Sequence, residues 1–333
     1  MQGEASNQSM QAIRIHKHGR PEVLALEEAP APTTGARQAL IRIEASGVNF
    51  IDVYYREGRY QTPLPYTPGQ EAAGTILALG EGTESAGFAV GDRVAWTLVP
   101  GTYAQLAVAP IERLVRVPER VTSQQAASAM LQGMTAHYLS HSTYPIQRGD
   151  EVLIHAGAGG AGLLLTQMAK TLGARVFTTV SSEEKAELSR AAGADEVILY
   201  TQVDFAEEIR KKMGGPGLHA VYDSVGKTTF DKSLSLLRPR GMMVLFGGSS
   251  GPVPPFDLIR LSQVGSLFVT RPTLKDYIAT REELEHRAGE VLRSIAEGTL
   301  KLRIEYVYPL SDAARAHEDL EGRRTTGKLL LIP

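Results

Sequence analysis

The chain has no cysteine among its 333 residues, and this absence excludes several kinds of chemistry. Disulfide bonds, thiolate nucleophiles and cysteine-bound zinc all need a residue that the sequence does not contain. The formal net charge is −2, so no basic excess is available to neutralise the phosphates of a nucleic acid. No apolar run reaches the roughly 18 residues of a membrane span. We therefore expect a soluble, cytoplasmic protein whose partners are neither membranes nor, in general, nucleic acids.

The length and the amino terminus set further expectations. A chain of 333 residues exceeds a typical single core and suits two domains. Its 33 glycines are typical of α/β proteins, which have many tight turns. Residues 1–10 are polar and lack the apolar segment of a secretory signal, so we expect a loose tail there.

The first third of the chain has the pattern of a β-rich domain. Short runs rich in β-branched and apolar residues are separated by Pro-Gly, Gly-Glu-Gly and Gly-Asp turns. These runs are residues 41–45, 74–79, 93–96, 103–108 and 114–117. Because no long helix separates them, the pattern predicts an antiparallel barrel or sandwich.

The middle of the chain alternates strands with helices. The predicted strands are residues 151–155, 175–180, 196–200, 220–223, 242–246 and 267–270, most of them followed by a helix. Repeated β-α units indicate a doubly wound parallel sheet. A long amphipathic helix at about 281–297 then leads back to strands near 304–308 and 329–332.

A glycine-rich turn follows the first of these middle strands. Residues 155–162 read HAGAGGAG, in which Gly157, Gly159 and Gly162 satisfy the pattern G-x-G-x-x-G. Gly157 would allow a tight turn, Gly159 a close approach to a pyrophosphate, and Gly162 close packing of helix on strand. The helix start then offers N–H groups and a positive dipole end to phosphates. This setting predicts a dinucleotide site that includes Gly160 and Ala161.

The end of the second middle strand indicates which dinucleotide is bound. NAD sites usually carry an acidic residue there for the ribose 2′-OH, whereas this chain has Val180, Ser181 and Ser182, followed by Lys185. Hydroxyls and a cation suit a 2′-phosphate, so we predict NADPH. An alternative interpretation, compatible with the first, is that Ser181 and Glu184 form a helix capping box.

Several segments resemble the quinone oxidoreductase (zeta-crystallin-like) branch of the medium-chain dehydrogenases. They are HKHG and PEVL at 16–19 and 21–24, GVNFID at 47–52, PGQEAAG at 68–74, YDSVG at 222–226, FGGSSG at 246–251 and FVTRP at 268–272. The resemblance runs from about residue 11 to residue 333. It implies a GroES-like catalytic domain at 1–133 and 273–333, a Rossmann domain at 134–272, a cofactor in the cleft between them, and a homodimer with residues 267–270 near its interface.

The resemblance also implies a site without zinc. Zinc-dependent relatives place a cysteine where Val48 or Asn49 stands and a histidine where Gln70 stands. A quinone is already a good electrophile and needs no metal, so the main task is to hold the nicotinamide against the acceptor. We therefore expect NADPH-dependent reduction of quinones with no metal ligands.

The resemblance assigns further residues to the site. Asn49, Phe50, Asp52 and Tyr54 are expected to line its active side, with Asn49, Asp52 and Tyr54 as the candidate catalytic residues. Tyr54 would donate a hydrogen bond to a quinone oxygen, or pack near the cofactor. The other expected cofactor contacts are Gln132, which stands where a relative carries lysine, and Ser181, Lys185, Tyr200, Ser224, Phe246, Gly247, Ser249, Phe268, Val269, Thr270 and Arg323. Arg324 and Lys328 are expected on a solvated face.

Two other functions stay open at this stage. The same hydride chemistry would serve an NADPH-dependent reductase of activated C=C bonds in enals or enones, and Tyr54 suits either acceptor. A nucleic-acid-binding or structural, crystallin-like role is the third candidate, and the net charge of −2 argues against it.

Overall fold

The structure is a computed structural model that describes residues 9–333, and these form two compact units. One unit comprises the chain up to Leu131 together with Thr280–Pro333, and the other comprises Gln132–Ala279. The predicted amino-terminal tail falls largely on residues 1–8, which lie outside the described residues. Ser9 and Met10 already belong to the first strand, so for these two residues the tail interpretation is wrong.

Fifteen strands are assigned within residues 9–333. They are β1 (Ser9–Arg14), β2 (Ala25–Pro30), β3 (Gln38–Val48), β4 (Glu71–Leu79), β5 (Arg93–Thr97), β6 (Leu106–Pro110), β7 (Val115–Arg116), β8 (Glu151–His155), β9 (Arg175–Val180), β10 (Glu196–Leu199), β11 (Leu218–Asp223), β12 (Leu237–Leu245), β13 (Phe268–Thr270), β14 (Ile304–Pro309) and β15 (Lys328–Ile332).

Ten α-helices are assigned in the same range. They are α1 (Phe50–Arg56), α2 (Ser123–Tyr138), α3 (Gly160–Thr171), α4 (Glu183–Ala191), α5 (Phe205–Lys212), α6 (Phe230–Leu234), α7 (Ile259–Val264), α8 (Leu274–Tyr277), α9 (Arg281–Ala296) and α10 (Ala313–Glu321). Among the described residues, no helix combines the length and the apolar character needed to cross a membrane.

The first unit is β-rich, as the sequence pattern predicts. A two-stranded sheet pairs β1 with β2, and a seven-stranded sheet has the order β14-β15-β3-β4-β5-β7 with β6 paired to β3. Every pair is antiparallel except β14 with β15. Alternate side chains of β3 and its neighbours point into a core that includes Ile41, Ile76 and Trp96.

The second unit is a doubly wound parallel sheet. Its strand order is β10-β9-β8-β11-β12-β13, and all five pairings are parallel. Counted from β8, this is the Rossmann order 3-2-1-4-5-6, whose direction of winding reverses between β8 and β11. Ligands of such sheets bind outside the carboxyl ends of the strands at this reversal. We therefore expect the turns after β8 and β11 to contact a ligand.

Two local features of the first unit differ from the sequence expectation. The strand predicted at 103–108 begins only at Leu106, because Tyr103 and Ala104 leave the sheet and pair with β1 through an isolated bridge and a backbone hydrogen bond. The seven-residue helix α1 was not predicted at all. Its signal was the spacing of Asn49 and Asp52, which form a capping box at its start.

Candidate active site

The glycine-rich turn joins β8 to α3 through a short, tight path. The residue with positive φ is Ala156 at 54°, and not one of the three motif glycines. Gly157 is needed for close packing instead, since a Cβ there would lie 2.6 Å from Cβ of Thr178. A Cβ on Gly162 would collide with the carbonyl oxygen of Ala156. Glycine at these two positions therefore lets the helix start lie directly against the strands.

Gly159 differs from the other two motif glycines because the space beside it is open. A Cβ there would meet only the carbonyl oxygen of Ala156, at 3.3 Å. Gly159 is also the N-cap of α3 and makes no side-chain cap, so it leaves the first N–H groups of the helix without a capping side chain. The cradle fits a pyrophosphate bound by backbone donors. The side chain of Gln132 borders it, packed over the Cα of Gly160.

The turn after β9 carries the residues predicted to bind a 2′-phosphate. The N-cap of α4 is Ser182, whose Oγ accepts from the backbone N–H of Lys185 at 3.4 Å. The predicted capping box of Ser181 and Glu184 is therefore wrong. The helix is capped by Ser182, one residue later, and not by the hydroxyl of Ser181. The Glu183 carboxylate accepts from Arg190 at 2.6 Å, so this acid is bound to a cation of its own helix.

Tyr200 begins the turn after β10, and its side chain is 40% exposed. The hydroxyl of Thr201 donates to the carbonyl oxygen of Ser181 at 3.0 Å, which joins this turn to the turn after β9. Ser181 and Tyr200 thus follow the carboxyl ends of two adjacent parallel strands, and Lys185 lies in the first turn of α4.

The turns after β11 and β12 are joined by hydrogen bonds. The backbone N–H of Ser249 donates to the carbonyl oxygen of Ser224 at 3.1 Å. Gly247 lies so close to Ser224 that a Cβ would be 2.6 Å from that same oxygen. Asp223 shapes the first turn, since its Oδ1 accepts from the N–H groups of Val225 and Gly226 at 2.7 and 2.9 Å. The structure thereby brings Ser224, Phe246, Gly247 and Ser249 together beside the strand reversal.

The predicted residues Phe268, Val269 and Thr270 form β13, the edge strand of the same sheet. Phe268 is 56% exposed and Val269 is 39% exposed. Leu258 and Ile259, at the start of α7, are exposed as well. The edge strand therefore presents exposed apolar side chains to its surroundings.

In the first unit, α1 positions the predicted residues Asn49, Phe50, Asp52 and Tyr54. The backbone N–H of Asn49 donates to Oδ2 of Asp52 at 2.9 Å, and both residues are buried. The Tyr54 ring is half-buried, with its centroid 6.5 Å from that of Phe50 and 5.6 Å from that of Tyr60. The guanidinium of Arg59 lies 5.2 Å from the centroid of the Tyr54 ring. Helix α1 therefore carries a polar, buried start and an aromatic, half-exposed end.

A buried ion pair holds the side chain of Asn49. Nζ of Lys328 is hydrogen-bonded to Glu71 and donates to Oδ1 of Asn49 at 2.8 Å, and Nδ2 of Asn49 donates to Glu71 at 2.8 Å. The second carboxylate oxygen of Glu71 accepts from the backbone N–H of Leu131 at 2.6 Å. Lys328 is only 2% exposed, so its predicted place on a solvated face is wrong.

These contacts do not fit a zinc ion. A catalytic zinc needs about three thiolate, imidazole or carboxylate donors and an open position for water or substrate. At the positions where zinc-dependent relatives place ligands, Asn49 is bound by the ammonium of Lys328 and Gln70 donates from Nε2 to the hydroxyl of Tyr66 at 2.9 Å. The carboxylate of Glu71 lies beside them, but both of its oxygens accept hydrogen bonds from Lys328, Asn49 and the Leu131 backbone. An ammonium, two carboxamides and this one paired carboxylate do not supply the donors that zinc needs.

A second buried network starts from Asp52. The hydroxyl of Tyr103 lies 3.2 Å from Oδ2 of Asp52 and 3.1 Å from Nε2 of His317. His317 Nδ1 is 3.0 Å from Nη1 of Arg56, which also binds the carboxylate of Glu321 through two hydrogen bonds at 2.7 and 2.9 Å. Burial raises the pKa of Asp52 to about 7. Burial and the nearby Arg56 charge lower the pKa of His317 to about 3, so this imidazole is neutral.

Arg323 follows α10 with φ at 55°, in the left-handed region that favours glycine. Its neighbour Arg324 is bound to Asp319, with Nε and Oδ1 2.9 Å apart. A non-glycine residue in this conformation costs about 1 kcal/mol or more. We therefore hypothesise that the Arg323 side chain has a function that offsets this strain.

Sequence reasoning missed the residues that support Asn49 and Asp52. Glu71 belongs to the segment PGQEAAG, but the sequence pattern assigned no role to it. Lys328 was predicted to lie on the surface. Tyr103 and His317 carried no sequence signal, since nothing in the pattern around either residue points to the other.

The chain matches two domain families. Residues 35–119 match the alcohol dehydrogenase GroES-like domain, and residues 160–293 match the family described as zinc-binding dehydrogenase.

Whole-length relatives extend the similarity. A quinone oxidoreductase of Pseudomonas aeruginosa is 44% identical over 96% of this chain and 99% of its own. A mycobacterial protein solved in complex with NADPH is 49% identical, with a TM-score of 0.94 over 97% of this chain and 100% of its own. A 2-haloacrylate reductase from Burkholderia is 41% identical over 97% of this chain and 98% of its own.

Proposed function

Because the chain belongs to the quinone oxidoreductase branch of the medium-chain dehydrogenase family, we propose that it reduces quinones with NADPH and without zinc. The observation that carries the cofactor assignment is the turn after β9, where Ser182 rather than Ser181 caps α4. The hydroxyl of Ser181 and the side chain of Lys185 then serve a 2′-phosphate. The mycobacterial relative solved with NADPH supports the same cofactor.

We assign the rest of the cofactor to the loops at the carboxyl ends of the strands. The open cradle at Gly159 would bind the pyrophosphate through backbone N–H groups. Tyr200 would cover the adenosine end, and the joined turns around Ser224 and Ser249 would hold the ribose of the nicotinamide. Gln132, Phe246, Gly247 and Phe268–Thr270 complete the proposed contacts in this unit, together with Gly157, Gly160, Ala161 and Gly162 of the turn.

In the first unit, Asn49, Phe50, Tyr54 and Arg323 are the proposed cofactor and acceptor residues. When bound, NADPH would supply a hydride, and a quinone needs that hydride and one proton to become a hydroquinone. Tyr54 is placed on the half-exposed end of α1 with a hydroxyl able to donate to a quinone oxygen. Asn49 is held rigidly by Lys328, Glu71 and Asp52, which suits a residue that orients the nicotinamide.

The residues around Asn49, and not the family description, support a reaction without zinc at this site. Lys328 already supplies a positive charge beside Asn49 and Glu71, and no cysteine exists in the chain. A quinone needs no Lewis acid, so this donor set suits a quinone better than an alcohol.

A second candidate acceptor is an activated alkene conjugated to a carboxylate or carbonyl. The observation that favours it is the 41% identity to a 2-haloacrylate reductase over nearly the whole chain. Hydride transfer to the β-carbon of such an alkene would use the same nicotinamide position and the same Tyr54 hydroxyl.

We also propose a homodimer formed through β13. An edge strand with exposed apolar side chains is a ready template for pairing, and here Phe268 and Val269 of β13 are exposed. A second copy of the chain offers the same strand, so an isologous contact would continue the sheet and cover the surface.

Stopped-flow absorbance tests the main proposal. NADPH should be oxidised rapidly on mixing with benzoquinone or naphthoquinone, and more slowly with a haloacrylate or an enal. A large preference for the alkene would favour the second candidate, and oxidation of NADPH by neither class would overturn both. Adding a zinc chelator to the same assay should leave the rate unchanged.

A further inference from the structure

The buried network that ends at Asp52 has a fixed direction. A guanidinium has donors and no acceptor, so Nη1 of Arg56 must donate to Nδ1 of His317. Because His317 is neutral, its single ring proton then lies on Nε2, which donates to the hydroxyl oxygen of Tyr103. The Tyr103 hydroxyl is left to donate to Oδ2 of Asp52. Each hydrogen bond in the chain therefore has one allowed orientation.

The two oxygens of Asp52 are used unequally. Oδ2 accepts two hydrogen bonds, from the Asn49 backbone and from the Tyr103 hydroxyl. Oδ1 is buried and has no hydrogen-bond partner among the described residues. A bare carboxylate oxygen without donors in a protein interior is costly, whereas a protonated oxygen there is not charged. Oδ1 is thus the place for a proton.

The charges around Asp52 lead to the same conclusion. Lys328 is bound to Glu71, and Arg56 is bound to Glu321, so each buried cation already has its own carboxylate. An ionised Asp52 would add one buried negative charge with no cation in contact.

The remaining ionisable groups that act on Asp52 are phenols and an imidazole. Burial raises the pKa of Tyr103 well above its usual value, and it raises the pKa of Tyr66 and Tyr55 too. The pKa of His317 is lowered to about 3. None of these groups changes charge between about pH 5 and 9, so Asp52 is the group of this set that titrates there.

We propose that Asp52 is a neutral carboxylic acid with its proton on Oδ1, and that Tyr103 and His317 are positioning residues that fix its orientation and through Asp52 hold Asn49 in the site. Asp52 accepts a hydrogen bond from the backbone N–H of Asn49, while Lys328 and Glu71 hold the Asn49 side chain. Only the use of Asn49 in cofactor binding rests on the proposed function. The protonation of Asp52 stands on the contacts of the first unit alone.

Isotope-edited infrared spectroscopy of protein carrying labelled aspartate tests the protonation directly. Near pH 6, below the pKa of about 7, the wild-type protein should show a neutral carboxyl band that is absent from Asp52→Asn and is lost at alkaline pH. Tyr103→Phe should retain this band to higher pH, because the anion loses one of its two donors. Lack of the band in the wild type, or an unchanged titration in Tyr103→Phe, would overturn the proposal.

Steady-state kinetics test the positioning. Tyr103→Phe and His317→Gln should raise KM for NADPH roughly 10-fold with a smaller change in kcat, since Asn49 loses its support. A matched control is Tyr144→Phe, which removes a hydroxyl bound to Asp150 in the second unit, 3.0 Å from its Oδ2. That control should leave KM for NADPH unchanged. Equal effects of Tyr103→Phe and Tyr144→Phe would show a merely structural loss.

NADPH binding measured by its fluorescence separates this proposal from the proposed function. If no acceptor is reduced, the function fails, yet the infrared titration and the weaker binding of NADPH to Tyr103→Phe remain readable. A normal infrared titration with unchanged NADPH affinity in both Tyr103→Phe and His317→Gln would overturn the positioning role.

Discussion

Ser182 caps helix α4 by accepting a hydrogen bond from the backbone N–H of Lys185, and this contact separates two neighbouring serines by role. Ser182 is occupied at the helix start, while Ser181 lies one residue earlier, directly after β9. The pair allows stability and coenzyme preference to be tested independently at adjacent positions.

Ser181→Ala should weaken the preference for NADPH over NADH about 10-fold, because a hydroxyl bonded to a charged phosphate is lost. Ser182→Ala should instead lower the free energy of unfolding by about 1 kcal/mol, as loss of an N-cap does, and keep the preference. The measurements are KM for both coenzymes and chemical denaturation. Identical results for the two variants would contradict the division of roles.

Gly157 and Gly159, in the turn after β8, should respond differently to substitution by alanine: the first should lose stability and the second should lose NADPH binding. Gly157→Ala places a methyl group 2.6 Å from Cβ of Thr178, and such overpacking costs about 1–3 kcal/mol of stability. Gly159→Ala meets only a carbonyl oxygen at 3.3 Å, so stability should fall by less than about 1 kcal/mol. Its methyl group would instead fill the pyrophosphate cradle and weaken NADPH binding strongly. Thermal denaturation and NADPH titration distinguish the two outcomes, and an equal loss of stability in both variants would contradict this assignment.

The fold of the second unit could be predicted well because its signals are local. Apolar runs, the glycine-rich turn and the serines after β9 all lie within short stretches, so β8, β9 and the start of α4 were expected where they occur. The contacts that hold Asn49 and Asp52 instead join residues that are far apart in the sequence. Tyr103 contacts His317 across 214 positions, and Lys328 contacts Asn49 across 279 positions. No single-sequence pattern encodes such pairings, and a lysine near two arginines has the pattern of a surface residue although it is buried here.

Arg323→Gly should raise stability and impair cofactor binding at the same time. Glycine adopts the positive φ at 323 without steric cost, so the free energy of unfolding should rise by up to about 1 kcal/mol. Loss of the guanidinium should raise KM for NADPH several-fold. Arg324→Ala is the matched control, because Arg324 is bound to Asp319 and should not affect KM. An unchanged KM in Arg323→Gly would remove Arg323 from the proposed cofactor site.

Phe268→Lys should dissociate the proposed dimer. The substitution places a charge on an edge strand whose apolar side chains would be covered by the second copy. Analytical ultracentrifugation should show a dimer for the wild type and a monomer for the variant. Val90→Lys is the control, since Val90 is 63% exposed and lies in the other unit. A monomeric wild-type protein, or a dimer that persists in Phe268→Lys, would contradict this interface.

The pH dependence of stability should contain two opposing contributions from the buried network. The pKa of Asp52 is raised to about 7 in the folded protein, against 3.8 for a free side chain, so its contribution to stability is lost as the pH rises from about 4 to 7. The pKa of His317 is lowered to about 3 from 6.5, so its contribution is lost as the pH falls from about 6.5 to 3. Each contribution is on the order of a few kcal/mol.

Substitution separates these two contributions. Relative to the wild type, Asp52→Asn should gain stability progressively between about pH 4 and 7, because a neutral amide keeps both acceptor contacts without gaining a buried charge. His317→Gln should gain relative stability progressively below about pH 6.5, because a carboxamide, unlike an imidazole, does not bind a proton in the unfolded chain. Urea denaturation at a series of pH values measures both differences. A stability difference between Asp52→Asn and wild type that does not change with pH would mean that Asp52 is ionised throughout, and would contradict the neutrality inferred from its buried, unpartnered Oδ1.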